Sequence, residues 1–241
     1  MIEEIRNAQG ERLEFSLHTG NASSKHIVVI GHGVTGNKDR PFLVALAEGL
    51  ADAGFNALRF SFAGNGESDG KFAECTVTKE VGDLGSVLDA LAGHEICYVG
   101  HSMGGAVGVI RASQDDRIKQ LVSLAGMVDT KKFAKTEFAG EEPDKGCMWE
   151  DETCPLSSAF MDDLCGIGTL VERGADIGVP WLLVHGTEDD VVLFRDSANI
   201  IAKAGDNGVL VEVQGANHVF AGEHTDPMVR AVVDWIRQQL G

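Results

Sequence analysis

Positive charge is scarce in this chain. Lys and Arg number 20 against 37 Asp and Glu, a net charge of −17. A field of that sign repels phosphate backbones and anionic lipid surfaces, so no nucleic acid is expected as a partner. Long apolar runs are missing too. No segment reaches the ~18 consecutive apolar residues of a spanning helix, so no membrane insertion is expected. The start, Met1-Ile2-Glu3-Glu4-Ile5, is acidic and lacks the apolar stretch of a secretory leader. The five cysteines (Cys75, Cys97, Cys147, Cys154, Cys165) include no CxxC. Cys147 and Cys154 could pair in an oxidising compartment, but reduced thiols in a cytoplasmic protein are expected. HxH and HExxH spacings are absent, and no metal is expected. The loop Gly64-Asn65-Gly66-Glu67-Ser68-Asp69-Gly70 is spaced GxGxxxG, not GxGxxG. It would turn acidic residues toward a pyrophosphate, so no nucleotide or other cofactor is expected. Aromatics make up 6% of residues, which leaves an aliphatic, alanine-rich core.

What is present is a rhythm of strands and helices. With 241 residues, 44% apolar and 24% charged, the chain suits one α/β domain over 1–241. Residues 2–7 and 12–18 read as a β-hairpin turning at Gln9-Gly10. Ile27 to Ile30 is a continuous apolar run, as in strands buried on both faces of a parallel sheet. Asp39 as N-cap and Pro41 open a helix that Gly54 stops. Strands follow at Phe55–Phe62, Ile96–Val99, Ile118–Leu124, Val179–Val184 and Val209–Val213, with helices between them and a last helix from Asp226-Pro227. The alternation implies a mostly parallel twisted sheet of about eight strands, with helices on both faces. The rhythm breaks over about 127–176, where charges crowd among scattered apolar residues. The stretch is too long for an ordinary connection and reads as an inserted lid. Met127, Phe138, Trp149 and Phe160 are its candidates for lining a substrate pocket.

Gly100-His101-Ser102-Met103-Gly104-Gly105 stands between a strand and a helix. Gly-x-Ser-x-Gly in that setting is a nucleophile elbow, with Ser102 at the apex of a strained turn. In an open parallel sheet the site lies at the carboxyl ends of strands. That rule selects a base for Ser102 among the eight histidines. His32 and His185 sit in His-Gly pairs suited to structural hydrogen bonds. His101 should point away from its neighbour. His218, directly after the last strand, is favoured, with His224 as its rival. An orienting carboxylate must come from Glu188-Asp189-Asp190, and adjacency alone leaves the choice open. The oxyanion donors would be the N–H groups of Met103 and Val34.

Five segments in one order resemble the α/β-hydrolase superfamily: His32-Gly33-Val34-Thr35-Gly36, Gly64-Asn65-Gly66-Glu67-Ser68, the elbow, His185-Gly186-Thr187-Glu188-Asp189, and Gly215-Ala216-Asn217-His218. The run His32 to Lys38 is similar to bacterial esterases of the feruloyl/cinnamoyl type, which carry a small lid. The resemblance implies the α/β-hydrolase fold and a Ser102–Asp189–His218 triad. It also implies cleavage of a small-molecule ester through an acyl-enzyme, with no cofactor. Ser61 departs from the pattern, since many relatives carry Asp there, which bears on loop anchoring. Other readings stay open: a peptidase, thioesterase, C–C hydrolase or perhydrolase with the same triad, or a non-catalytic receptor on the same fold.

Overall fold

Largely apolar strands, covered on both faces, build the centre of this molecule. A computed structural model describes residues 2–240; the end residues Met1 and Gly241 of the expected 1–241 domain lie outside the described residues. The strands are β1 (Ile5–Arg6), β2 (Arg12–Leu13), β3 (Phe15–His18), β4 (His26–Gly31), β5 (Asn56–Phe60), β6 (Glu95–His101), β7 (Ile118–Leu124), β8 (Trp181–Gly186) and β9 (Gly208–Val213). The helices are α1 (Pro41–Asp52), α2 (Val77–Ala90), α3 (Met103–Ala112), α4 (Thr130–Glu137), α5 (Ser158–Ile167), α6 (Phe194–Ile201) and α7 (Thr225–Leu240).

Seven strands form one sheet in the order β3-β5-β4-β6-β7-β8-β9. Strands β4 to β9 pair in parallel, and β3 lies antiparallel against β5 at one edge. This is the α/β-hydrolase fold, with one strand fewer than the expected eight in the main sheet. The difference arises at the N-terminal hairpin. Its second arm breaks at Glu14, whose N–H bonds the Ser68 hydroxyl at 2.8 Å. Residues 12–13 stay with β1 in a two-stranded ribbon, while 15–18 join β5.

Alternate residues of each strand face opposite layers. Val28, Ile30, Val99, Val122, Leu182 and Val184 face one core shared with the apolar side chains of α1 and α7. Ile27, Val29, Leu58, Tyr98, Leu121 and Leu183 face the other, shared with α2 and α3. The core is mainly aliphatic, yet its largest fully buried side chains include Trp181, Tyr98, Phe60 and Phe62.

From β4 the chain passes to β5 on one side, then crosses back to β6 on the other. The reversal puts the carboxyl ends of β4 and β6 next to each other, the place where open α/β sheets bind ligands. Pairing of Gly31 with Gly100 aligns the two exits. Between β7 and β8 the alternation is interrupted by α4, α5 and short 3-10 turns. This segment is tied at its base by a bridge between Asp129 and Thr169 and by the Thr130 hydroxyl, whose one proton is shared by the Leu164 and Gly168 carbonyls at 2.6 and 2.7 Å.

Candidate active site

Ser102 occupies a backbone conformation that L-residues seldom adopt, with φ 52° and ψ −116°. Three glycines make the turn possible. A Cβ at Gly100 would lie 2.1 Å from the Gly104 oxygen, one at Gly104 2.5 Å from the His32 oxygen, and one at Gly105 2.7 Å from Gly126 Cα. Backbone stands where any side chain would go, so strand, helix and neighbouring loop approach only because these positions are bare. The turn is also pinned from outside: Ser102 N–H donates to Leu124 O at 3.0 Å, and Met127 N–H donates to Ser102 O at 2.9 Å.

The loop leaving β4 packs directly on this serine. A Cβ at Gly33 would come within 2.8 Å of Ser102 Cβ. His32 anchors the loop: its Nε2 accepts the Phe62 N–H at 3.0 Å, and its Nδ1 lies 2.9 Å from Gly33 O. Burial pushes its pKa down to about 4, consistent with a neutral structural ring. Ser61 serves the same loop, its hydroxyl accepting the Lys38 N–H at 3.1 Å. Neither the Val34 nor the Met103 N–H is engaged with another described residue. Met103 is the first residue of α3, so its N–H has no acceptor within the helix.

Asp189 gathers the far side of the site. Its side chain is fully buried. One oxygen accepts the Val191 and Val192 N–H groups at 3.0 and 2.9 Å. The other faces His218 Nδ1 at 2.8 Å and His185 Nε2 at 3.1 Å. His185 Nε2 also faces Val192 O at 2.8 Å, so it carries the proton, while Nδ1 accepts from the Ser197 hydroxyl at 2.7 Å. Burial works to raise the Asp189 pKa. The hydrogen bonds from His185 and His218, the charge on His218 and the Val192 N–H outweigh it and hold the carboxyl below its ordinary range. Glu188 and Asp190 are exposed. His224 lies beside Gly215, outside this network.

Ser102, His218, Val34 and Trp149 line one cavity of about 180 Å3, together with His101, Phe42, Phe133 and Val191. Met127 lines an adjoining cavity of about 120 Å3 that shares Phe133 and Val191. The expected pocket residues Phe138 and Phe160 line neither. They pack on each other at 6.3 Å between centroids, and Phe138 also packs on Trp149 at 5.2 Å. Both are 2% exposed. Both rings join the buried layer shared with Leu84, Val107 and Tyr98, so they anchor the inserted segment onto the core beneath it.

Two neighbours of the site, His101 and Arg40, differ from the sequence reading, and His185 has the expected structural hydrogen bonds with a partner that was not foreseen. His101 does not turn away from the site. Its ring packs on His218 at 4.8 Å and on Phe42 at 4.7 Å, and its Nε2–H donates to the His218 carbonyl at 2.9 Å. Burial, then the nearby His218, pushes its pKa down to about 3, so it remains neutral. His185 is the second imidazole on Asp189; its signal in the sequence was only its place four residues earlier. Arg40 replaces Asp39 as the cap of α1, because the Asp39 carboxylate is drawn to Lys38 and Arg59 at 2.7 and 2.9 Å. Among the described residues no group of three or more His, Cys, Asp or Glu side chains is arranged to hold a metal ion. All five cysteines are free, Cys147 and Cys154 included.

A family model described as "alpha/beta hydrolase fold" matches residues 26–143. The chain belongs to the α/β-hydrolase superfamily. Est1E from Butyrivibrio proteoclasticus, solved with ferulic acid bound, superposes on this hydrolase with a TM-score of 0.88 at 26% identity, covering 98% of each chain. The structure of alpha/beta hydrolase domain-containing protein 10 from mouse gives a TM-score of 0.81 at 20% identity, covering 99% of each chain. Curated relatives include "Palmitoyl-protein thioesterase ABHD10, mitochondrial" of Mus musculus, 34% identical over 71% of this chain, and of Bos taurus, 27% identical over 70%. The hydrolase spans 62% and 58% of the length of those two proteins. Among the described residues no helix is long and apolar enough to cross a membrane.

Proposed function

We propose that this hydrolase is a serine carboxylesterase acting through an acyl-enzyme. His218, held by Asp189 at 2.8 Å in the wall of the cavity that Ser102 also lines, carries the reading. With Nδ1–H held on Asp189, His218 is left with Nε2 as its basic nitrogen. That nitrogen takes the Ser102 proton as the hydroxyl oxygen attacks an ester carbonyl. The Val34 and Met103 N–H groups receive the oxyanion; losing one such donor typically costs ~3–4 kcal/mol in the transition state. His218 then returns the proton to the leaving alcohol, and water releases the acid by the same steps. Asp189 keeps the imidazole in the working tautomer and offsets its charge once protonated.

The segment over 127–176 acts as the lid, with Trp149 and Phe133 facing the acyl group. A cavity of about 180 Å3 is small beside the roughly 300–1,000 Å3 of ordinary ligand sites, which favours short acyl groups. One observation favours a second reading, thioester cleavage: the curated relatives carry thioesterase in their names. The chemistry would be identical except for a thiol leaving group. Free thiols suit a reducing compartment, and we place the protein in the cytoplasm.

Initial rates on paired p-nitrophenyl esters and acyl thioesters of two to sixteen carbons test the assignment. Turnover should peak at short oxygen esters and vanish in Ser102→Ala. A maximum on long thioesters would replace the ester reading by the thioester one. A well-folded wild type inert to both series would end the catalytic reading.

A further inference from the structure

The cavity around Ser102 contains one permanent positive charge. Arg40 lines it together with His218 and Trp149 and is exposed, which places it at the mouth. Its Nη2 donates to Thr35 O at 2.9 Å, which braces the guanidinium against the loop that bears Val34. A guanidinium carries five N–H donors, and only the bond to Thr35 O engages one of them among the described residues. Carboxylates close to it are otherwise engaged. Asp39 is bound to Lys38 and Arg59, and the cation of the adjoining cavity, Lys132, sits 3.6 Å from Asp196. Arg40 has no such partner among the described residues. The same cavity is lined by Thr35 of the β4 exit loop and by Phe133 and Trp149 of the 127–176 segment.

In a protein of net charge −17 an anionic substrate meets an opposing field. An unneutralised arginine at the mouth reverses that field locally, and its planar fork matches a carboxylate through two parallel hydrogen bonds. We propose that Arg40 is a carboxylate subsite, and that the preferred substrates are short esters carrying a free carboxylate near the scissile bond. The inference rests on the ester-hydrolase reading and names its substrate class. Thr35 O is one residue from Val34, so at ~3.5 Å per residue the carboxylate sits on the order of 10 Å or less from the oxyanion donors, a span that suits a half-ester of a short dicarboxylic acid.

Two substrate pairs test it. p-Nitrophenyl hemiglutarate against p-nitrophenyl pentanoate places the carboxylate on the acyl side. 4-Acetoxybenzoate against phenyl acetate places it on the alcohol side. In at least one pair the wild type should favour the anion, and Arg40→Gln should cut the anion-to-neutral ratio of kcat/KM about tenfold, mainly through KM. Arg40→Lys should keep part of the preference, and 0.5 M salt should weaken it in the wild type. A ratio that Arg40→Gln leaves within twofold in both pairs overturns the subsite. Calorimetry in Ser102→Ala gives a readout free of turnover: glutaric acid monoanilide should lose at least fivefold in affinity when Arg40→Gln is added, and pentananilide should lose less. If the wild type cleaves no ester, the catalytic reading fails, and the binding comparison alone decides the subsite.

Discussion

Replacing Asp189 by Asn exchanges one carboxylate oxygen for an NH2 group, and the structure dictates how the change propagates. The oxygen that accepts the Val191 and Val192 N–H groups must remain an oxygen, because two backbone donors face it. The new amide NH2 is therefore forced toward His185 and His218. His185 cannot adapt, since Val192 O holds the proton on its Nε2. His218 can, by moving its proton from Nδ1 to Nε2. That nitrogen then cannot take a proton from Ser102. A wrong tautomer in such a triad costs about 10⁴ in kcat, or about 5.4 kcal/mol at 1.36 kcal/mol per decade. Two charge-assisted hydrogen bonds weaken as well, at a cost of about 2–4 kcal/mol in stability. The pH dependence has a sign. Because the folded carboxyl is held below its ordinary value of 3.8, its contribution is present above that pH and is lost as pH falls through the folded value. The stability gap between wild type and Asp189→Asn should be flat near neutrality and close in acid below about pH 3.8. Steady-state kinetics on a p-nitrophenyl ester and urea melts from pH 3 to 8 read both effects. Glu188→Gln and Asp190→Asn, both at exposed positions, should stay within twofold of wild type in kcat. If Asp189→Asn kept more than a tenth of the activity while either neighbour abolished it, the assignment of the orienting carboxylate would be wrong.

Three further outcomes follow from separate parts of the molecule. Gly104→Ala and Gly82→Ala are both helical but should differ in sign: the first drives a Cβ to 2.5 Å from the His32 oxygen and should destabilise by about 2–3 kcal/mol, whereas the second meets nothing within 4 Å and should stabilise by about 0.5–1 kcal/mol in denaturant melts. Glu80 is 1% exposed, with neither carboxyl oxygen hydrogen-bonded to another described residue, and burial followed by the Asp83 and Asp163 charges raises its pKa well above 4.5. Stability should thus fall with a slope of up to about 1.4 kcal/mol per pH unit once pH passes the unfolded value; Glu80→Gln removes that slope, so its melting temperature should exceed wild type by a margin that grows from pH 5 to pH 8. His101→Phe keeps the ring contacts with Phe42 and His218 but removes the hydrogen bond to the part-buried His218 carbonyl, and kcat should drop about tenfold with the far-UV spectrum unchanged.

The outline of this fold could be read from the chain because continuous apolar strands and spaced helical faces leave few alternatives. Strand β7 runs over Ile118–Leu124, as expected, and the elbow was legible because only Gly fits where backbone meets backbone. What could not be read was decided across the sheet. The expected arm at residues 12–18 splits because two different partners, β1 and β5, compete for it. Asp39 had the right chemistry for a helix cap, but two cations unseen along the sequence claimed its carboxylate. Asp189 could not be told from Glu188 and Asp190 by residue type, since only burial and four convergent donors distinguish it. Phe138 and Phe160 look like pocket residues in an insertion of unknown shape; docking that insertion onto the main core consumes them.

The most direct measurement concerns the reactivity of one hydroxyl. A fluorophosphonate reagent should add once to the native protein, and peptide mass mapping should place the adduct on Ser102. Labelling should slow at least a thousandfold in His218→Ala and be absent in Ser102→Ala. Labelling of a different residue, or an unlabelled Ser102 in a folded wild-type protein, would contradict the account.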